Sequence, residues 1–461
     1  MKKFLIISII IGFATNSIAQ GYEISLKVKN LKDSMIYLGN HYGNGYYLVD
    51  SLNLDSQGQL IFKGDKTLPG GIYFMLYPSG KYFDFLIDRD QKFSITTDTT
   101  DFVNTVKFAD SYQNESFFNY QKYLNQQNQE ISRLKADQKK YITKIDTLML
   151  IEDNVQLIYN KIYLRKEEMI SKHPDSLISV ILKASLPIVP PPAPMDSMGN
   201  LLDSLHDYKY VKLHFFDNIN FGDERLLRTA IIQNKVLDYL NQMVVPHYDS
   251  VCREVDRVVE MASVNKEVYK YVLNMLFQYY NKSLVISDEN VFVYIAEKYF
   301  LSGKTPWVLP ELNQKLTDDL KKRKPNLIGV VAPDFKMMDD KGKPLSLRLT
   351  QNKYTVLYFF DVDCEICKEV SPELLNLYRI IKDRGVNVIA IYVGKDKSKW
   401  LKYIEEKRLS WINVWDPDNK TGFRENYNIA GTPVIYLLDE DQKIVAKKIN
   451  IDQLMGFFNS I

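Results

Sequence analysis

Cysteine is scarce in this chain: there are three in 461 residues, Cys252, Cys364 and Cys367. That excludes a disulfide framework of the kind that staples small exported domains. The five histidines, His41, His173, His206, His214 and His247, are scattered with no metal-ligand spacing, so each reads as an ordinary surface or satisfied core side chain. An excess of one charge is missing too. With 59 basic and 57 acidic side chains, neither nucleic-acid binding nor polybasic attachment to a membrane surface has electrostatic support. Beyond the N-terminal segment no run is long and apolar enough to span a bilayer, which takes about 20 residues as a helix.

What is present begins with MKKFLIISIIIGFATNSIAQ: two lysines, an apolar run from Phe4 to about Ala14, and the small residues Ser17 and Ala19. This is the three-part pattern of a secretory signal peptide over residues 1–19, cleaved after Ala19, and it predicts a mature chain in the periplasm or cell envelope. Removing Lys2 and Lys3 with it brings the basic count down to 57, equal to the 57 acidic side chains.

A chain of 461 residues is too long for one hydrophobic core, and its composition changes three times along its length. Residues 20–115 carry seven short runs rich in β-branched and aromatic residues, from YEISLKV to KFSITTD, broken by turn formers such as Asn44-Gly45 and Pro69-Gly70-Gly71. They predict a β-rich domain, a small antiparallel sandwich or open barrel. Residues 116–325 turn to helical spacing, interrupted by a proline-rich surface loop from Pro187 to Pro194. Cys252 falls inside one helical pattern and reads as a small apolar residue. The run KKRKPN, Lys321 to Asn326, reads as a charged linker into the third region, residues 326–461, where strands and helices alternate. Alternation of this kind predicts an α/β domain with parallel βαβ units.

That last region holds the chemistry, in FFDVDCEICKEVSPELLNLY. Tetrahedral zinc needs four ligands, and the region has two cysteines and no histidine. Covalent haem needs a histidine directly after the second cysteine, where Lys368 stands. A purely structural disulfide across so short a loop would constrain little of the unfolded chain. Thiol–disulfide exchange, which needs no cofactor, is the reading that remains. The apolar strand YTVLYFF delivers Cys364 to the start of a helix, where unpaired N–H groups stabilise a thiolate. Cys364 is then the expected nucleophile and Cys367, one turn on, the resolving thiol.

Further along comes YNIAGTPVIYLLD, with Thr432-Pro433 entering a strand. Together with APDF, the D-x-x-G at Asp339 and Gly342, and the C-x-x-C followed by Pro372, it makes residues 326–461 resemble the TlpA/ResA-like, AhpC/TSA-type thioredoxin-fold thiol–disulfide oxidoreductases of bacterial envelopes. The resemblance implies that Pro433 is a cis-proline facing the disulfide and that Thr432 offers backbone pairing to a substrate strand. It also implies a client protein disulfide and a membrane electron donor of the DsbD or CcdA type. The order of a β-rich domain, a helical middle and a thioredoxin-like end resembles a multidomain group from Bacteroidetes-type bacteria. There are departures. Asp363 precedes the first cysteine where the family commonly has Trp, and Tyr358 and Val370 occupy the positions where relatives keep a buried acid. A peroxiredoxin, which also opens on APDF, would need a proline and a threonine where this chain has Leu357 and Asp361.

Around Cys364 stand Asp361, Asp363 and Glu365, opposed by Lys368. Their negative charge is expected to modulate the thiol, keeping its pKa from falling and so favouring a reductase or isomerase over a donor of disulfides. The alternative function is an envelope binding or scaffold protein, with aromatics of the first two domains on a recognition surface and a redox domain that only regulates.

Overall fold

The structure is a computed structural model that describes residues 21–101, 104–141 and 144–461; the signal-peptide expectation for residues 1–19 lies outside them. No described helix is long and apolar enough to cross a membrane. The chain divides into two compact units, one running to Met243 with Val258–Val272, the other made of Val244–Arg257 and Leu273–Ile461.

The first unit opens with eight strands: β1 (Tyr22–Lys29), β2 (Met35–Tyr42), β3 (Gly45–Asn53), β4 (Gln59–Gly64), β5 (Gly71–Leu76), β6 (Tyr82–Ile87), β7 (Lys92–Asp98) and β8 (Lys107–Ala109). They form two four-stranded sheets, β4-β1-β7-β8 and β3-β2-β5-β6. Alternate residues point inward, so that Ile24, Leu26 and Phe62 of one sheet and Ile36, Met75 and Phe85 of the other share one core. The sandwich is as expected, with two differences. A three-residue strand, β8, was too short to stand out in the sequence. The pairing is also not wholly antiparallel: β1 runs parallel to β7, with Ile24 opposite Phe93 and Leu26 opposite Ile95. A parallel pair between distant segments leaves no local turn signature to read.

The helices follow: α1 (Tyr112–Lys140), α2 (Ile145–Lys172), α3 (Leu177–Ala184), α4 (His206–His214), α5 (Ile231–Asp238), α6 (Tyr248–Ala262), α7 (Lys266–Lys282), α8 (Asp288–Ile295) and α9 (Pro310–Arg323). In the first turn of α1, Asn114 is fully buried. Its Oδ1 accepts from the Leu86 amide at 2.7 Å and its Nδ2 donates to the Leu86 carbonyl at 2.8 Å. One side chain thus stands in for a neighbouring strand along the edge of β6. The proline-rich stretch from Pro187 to Pro194 is non-helical, as proline's missing N–H requires. Cys252 lies buried within α6, and burial, with Asp249 and Asp256 nearby, pushes its thiol up to about 12. It is a chemically quiet packing residue.

The stretch from Lys321 to Asn326 corrects the linker expectation. Lys321 to Arg323 close α9, and Lys324–Asn326 make one 3-10 turn. Asn326 is fully buried, with its Nδ2 donating to the Lys322 carbonyl at 2.9 Å and the Asn426 carbonyl at 3.2 Å. Polar composition suggested solvent, but the asparagine is satisfied from within.

The C-terminal region adds β9 (Lys336–Asp339), β10 (Pro344–Ser346), β11 (Tyr354–Phe360), α10 (Glu365–Ile381), β12 (Val386–Tyr392), α11 (Lys397–Lys407), β13 (Ile412–Trp415), α12 (Phe423–Asn426), β14 (Val434–Leu438), β15 (Ile444–Lys447) and α13 (Ile451–Ser460). Its sheet has the order β10-β9-β13-β12-β11-β14-β15, parallel across β13-β12-β11 and antiparallel elsewhere. Apolar clusters lie on both faces. That is why the central strand β11 is buried from Thr355 to Phe360 and reads as a continuous apolar run. The protein is thus a multidomain chain with a β-rich start, a helical middle and a thioredoxin-like α/β end.

Candidate active site

The chain leaves β11 at Phe360 and turns through Asp361 and Asp363 before α10 begins. The Asp361 carboxylate accepts the Asp363 amide at 3.0 Å, and the Asp361 carbonyl accepts the Cys364 amide at 3.3 Å. Cys364 is the N-cap of α10, in extended conformation, and its Sγ accepts the amide of Cys367 at 3.2 Å. A helix start leaves amides without partners, and a cap side chain satisfies one at the third helical position. The C-x-x-C spacing makes that position Cys367. The sulfur of the first cysteine therefore does what a serine or aspartate oxygen does at other helix starts.

Exposure separates the two thiols. Cys364 is partly accessible, whereas Cys367 is 0% exposed and packs in the core beneath α10. Burial raises the Cys364 pKa, but hydrogen bonds from the Cys367 and Thr432 side chains and from the amides of Cys367 and Ile366 outweigh it, and the thiol sits below its ordinary value. Cys367 goes the other way, pushed up to about 11, chiefly by burial and by its hydrogen bond with Cys364. One thiol is prepared to ionise and the other to stay protonated.

Opposite the pair, the Thr432–Pro433 peptide bond is cis. The Thr432 carbonyl lies 3.4 Å from Cys364 Sγ. Beside them runs a groove of about 340 Å³, walled by Ile366 and Val370 of α10, by Pro433 and Ile435, and on its far side by the segment Lys448–Asp452.

A model of the AhpC/TSA family matches residues 328–447. Models of two domains of unknown function, DUF4369 and DUF5106, match residues 22–117 and 191–324. The thiol–disulfide oxidoreductase ResA of Geobacillus thermodenitrificans is 30% identical over 122 residues, which are 26% of this chain and 68% of that protein. The chain belongs to the ResA-like thiol–disulfide oxidoreductases. ResA of Bacillus subtilis is 28% identical over 117 residues, 25% of this chain, and the chain spans 64% of that relative's length. Among solved structures, a domain of a possible thiol–disulfide isomerase from Cytophaga hutchinsonii is 36% identical, with 30% of this chain and 93% of that one covered at a TM-score of 0.28.

Within this ResA-like domain the acidic residues around Cys364 have partners. Asp363 is paired with Lys399 at 2.9 Å and Glu365 with Lys368 at 2.6 Å, while Asp361 is occupied in the turn. Each exposed carboxylate has its own ammonium, so Asp363 with Lys399 and Glu365 with Lys368 bring little net charge to Cys364, while Asp361 keeps its negative charge. None of the four residues expected to modulate the thiol is among the main causes of its shift. Lys399 was invisible in the sequence because it comes from α11, 36 positions after its partner.

The two acid positions that differ in the sequence also gain an account. Tyr358 is fully buried, with its hydroxyl 2.9 Å from Ser371 Oγ and 3.4 Å from the Cys367 carbonyl. Tyr403 of α11 approaches the same carbonyl at 3.4 Å. Burial holds the Tyr358 hydroxyl well above its ordinary pKa, so it positions and does not accept a proton. Val370 lines the groove and Glu369 is exposed. Neither Ser371 nor Tyr403 carried a sequence signal, since a hydroxyl on an apolar helix face looks like any other.

Proposed function

We propose that the chain is an exported thiol–disulfide oxidoreductase that reduces or isomerises disulfides of client proteins through Cys364 and Cys367. The observation that carries this reading is the cap itself: a partly exposed sulfur with a lowered pKa, bonded to the amide of a buried partner cysteine. In the forward direction the Cys364 thiolate attacks one sulfur of a client disulfide. The client S–S bond breaks, a Cys364–client disulfide forms, and the first client sulfur leaves as a thiolate and takes up a proton. Cys367 then gives up its proton to solvent or to the departing client sulfur. Its thiolate attacks Cys364 Sγ, the Cys364–Cys367 disulfide forms, and the second client thiol is released.

In this reading Thr432 and Pro433 seat the client strand, with the client side chains next to its cysteine in the groove beside Pro433. Reductase or isomerase activity is favoured over disulfide donation because a strong oxidant needs a heavily stabilised thiolate. Here both nearby lysines, Lys368 and Lys399, are engaged by carboxylates. Two electrons leave the pair at each reduction, so a dithiol donor must restore it. For a periplasmic or envelope protein that donor is a membrane protein of the DsbD or CcdA type. We further propose three modules: a β-rich domain over 20–115, a helical domain over 116–325 and the redox domain over 326–461, the first two serving to hold the client.

A second reading has one observation in its favour. Tyr46, Tyr47 and Leu48 on β3 are all more than half exposed, as a binding surface would be. The test of both is Cys364→Ser. Loss of insulin reduction together with loss of the cellular phenotype supports the redox reading. Loss of reduction with client binding and phenotype intact supports a scaffold.

A further inference from the structure

The far wall of the groove is not part of the sheet. β15 ends at Lys447, Lys448 takes a left-handed conformation with φ of 53°, and the chain then enters α13. The wall is fixed at its α13 end by a reciprocal cap, in which the Gln453 amide donates to Asn450 Oδ1 at 2.8 Å and the Asn450 amide to Gln453 Oε1 at 3.0 Å.

Its other end is fixed by charge. Lys447 is 2% exposed, a rare burial for a lysine. Its ammonium bonds to Glu289 of α8 and, at 3.0 Å, to Oδ1 of the buried Asn326. Glu289 also lies 3.6 Å from Arg323 of α9. Apolar side chains in place of a buried ion pair are often as stable or more stable, and the best-attested use of such a pair is to fix one register. Lys447 is the last residue of β15, opposite Tyr436 of β14, and the wall begins at the next residue.

We propose that Lys447 is a positioning residue for client binding: Glu289 and Asn326, both outside the thioredoxin-like strands, hold Lys447 and through it the groove wall Lys448–Asp452. The stretch matched by DUF5106 then has a function, since through Glu289 it sets the affinity of the redox domain for its client. This rests on the reading of the groove as the client's seat.

The test uses the full chain with insulin as the disulfide client. Lys447→Met and Glu289→Gln should raise KM by about two- to thirtyfold, the range for mutations that act through a coupled element, with kcat and the reduction potential of Cys364–Cys367 unchanged. The double variant Lys447→Met/Glu289→Met removes both charges and should stay folded, with a cooperative melt, while KM stays raised. A folded double variant with parental KM overturns the proposal. The Kd of insulin for the Cys364→Ser chain, with and without the double change, makes the same comparison without turnover. A chain that does not reduce insulin therefore refutes the redox reading alone, while a Kd unmoved by the double change refutes this one.

Discussion

The amide of Cys367 donates to the sulfur of Cys364 at 3.2 Å, so in the proposed exchange the residue that resolves the mixed disulfide also stabilises the thiolate that starts it. When Cys364 is in a mixed disulfide it is no longer a thiolate acceptor. In the proposed exchange Cys367, on the same helix turn, then attacks the new bond. Both steps of the proposed exchange draw on one turn of α10.

Opposite shifts of the two thiols give opposite responses to pH. Alkylation of Cys364 by iodoacetamide should show a midpoint below the ordinary 9.0, with Cys367 protected until about 11. The sign for stability follows by linkage. A lowered folded-state pKa makes the reduced protein gain stability as pH rises towards 9.0, and the raised Cys367 makes it lose stability from there to about 11. Urea titrations of the reduced chain across that range read both limbs. Release of client from the mixed disulfide should quicken as pH rises past the ordinary thiol value, because burial, the largest cause of the Cys367 shift, persists when Cys364 is bonded to the client.

The reduction potential of the pair should lie near or below about −250 mV, in the range of reductants. Thiol trapping against defined redox buffers measures it. Removing Lys399 and Lys368 by alanine substitution frees Asp363 and Glu365, so the Cys364 pKa should rise and the potential fall further. A potential near about −120 mV would mark an oxidant instead.

Tyr358→Phe removes the hydroxyl shared with Ser371 and the Cys367 carbonyl. Ser371 can turn its own hydroxyl to that carbonyl, one helical turn back. The expected cost is therefore only about 1 kcal/mol, the net worth of one hydrogen bond. The potential should not move, because the hydroxyl takes no proton. Calorimetry and redox titration of the variant check the two halves.

Asn114→Ala leaves both the amide and the carbonyl of Leu86 without partners on the edge of β6. At about 1–3 kcal/mol for each buried group left unsatisfied, this is a large loss for one surface-helix substitution. Hydrogen exchange of the Leu86 amide should accelerate most, ahead of the inner strands β2 and β5.

Much of this was legible in the sequence because it is local. The strand YTVLYFF is apolar throughout because both faces are covered, and the C-x-x-C sits where a strand meets a helix. The runs of β1, β4 and β7 alternate because one face of their sheet is buried. What could not be read is long-range pairing: Lys399 against Asp363, Tyr403 over Cys367, Glu289 on Lys447. The acidic cluster is incompletely legible for the same reason. Asp361, Asp363 and Glu365, opposed in the sequence by Lys368 alone, look more negative than they are because Lys399 of α11 pairs with Asp363. KKRKPN misled by composition, since hydrogen bonds within the fold satisfy Asn326 as water would.

The parallel pairing of β1 with β7 has a consequence for how the protein is made. Synthesis delivers the N-terminal strand first, yet β1 lies between β4 and β7. Glu23 must therefore wait for Lys92, and Ile24 for Phe93, before it gains its second neighbour. Contacts so far apart along the chain close slowly. Until β7 has emerged, β1 remains an unfinished edge with one neighbour, β4.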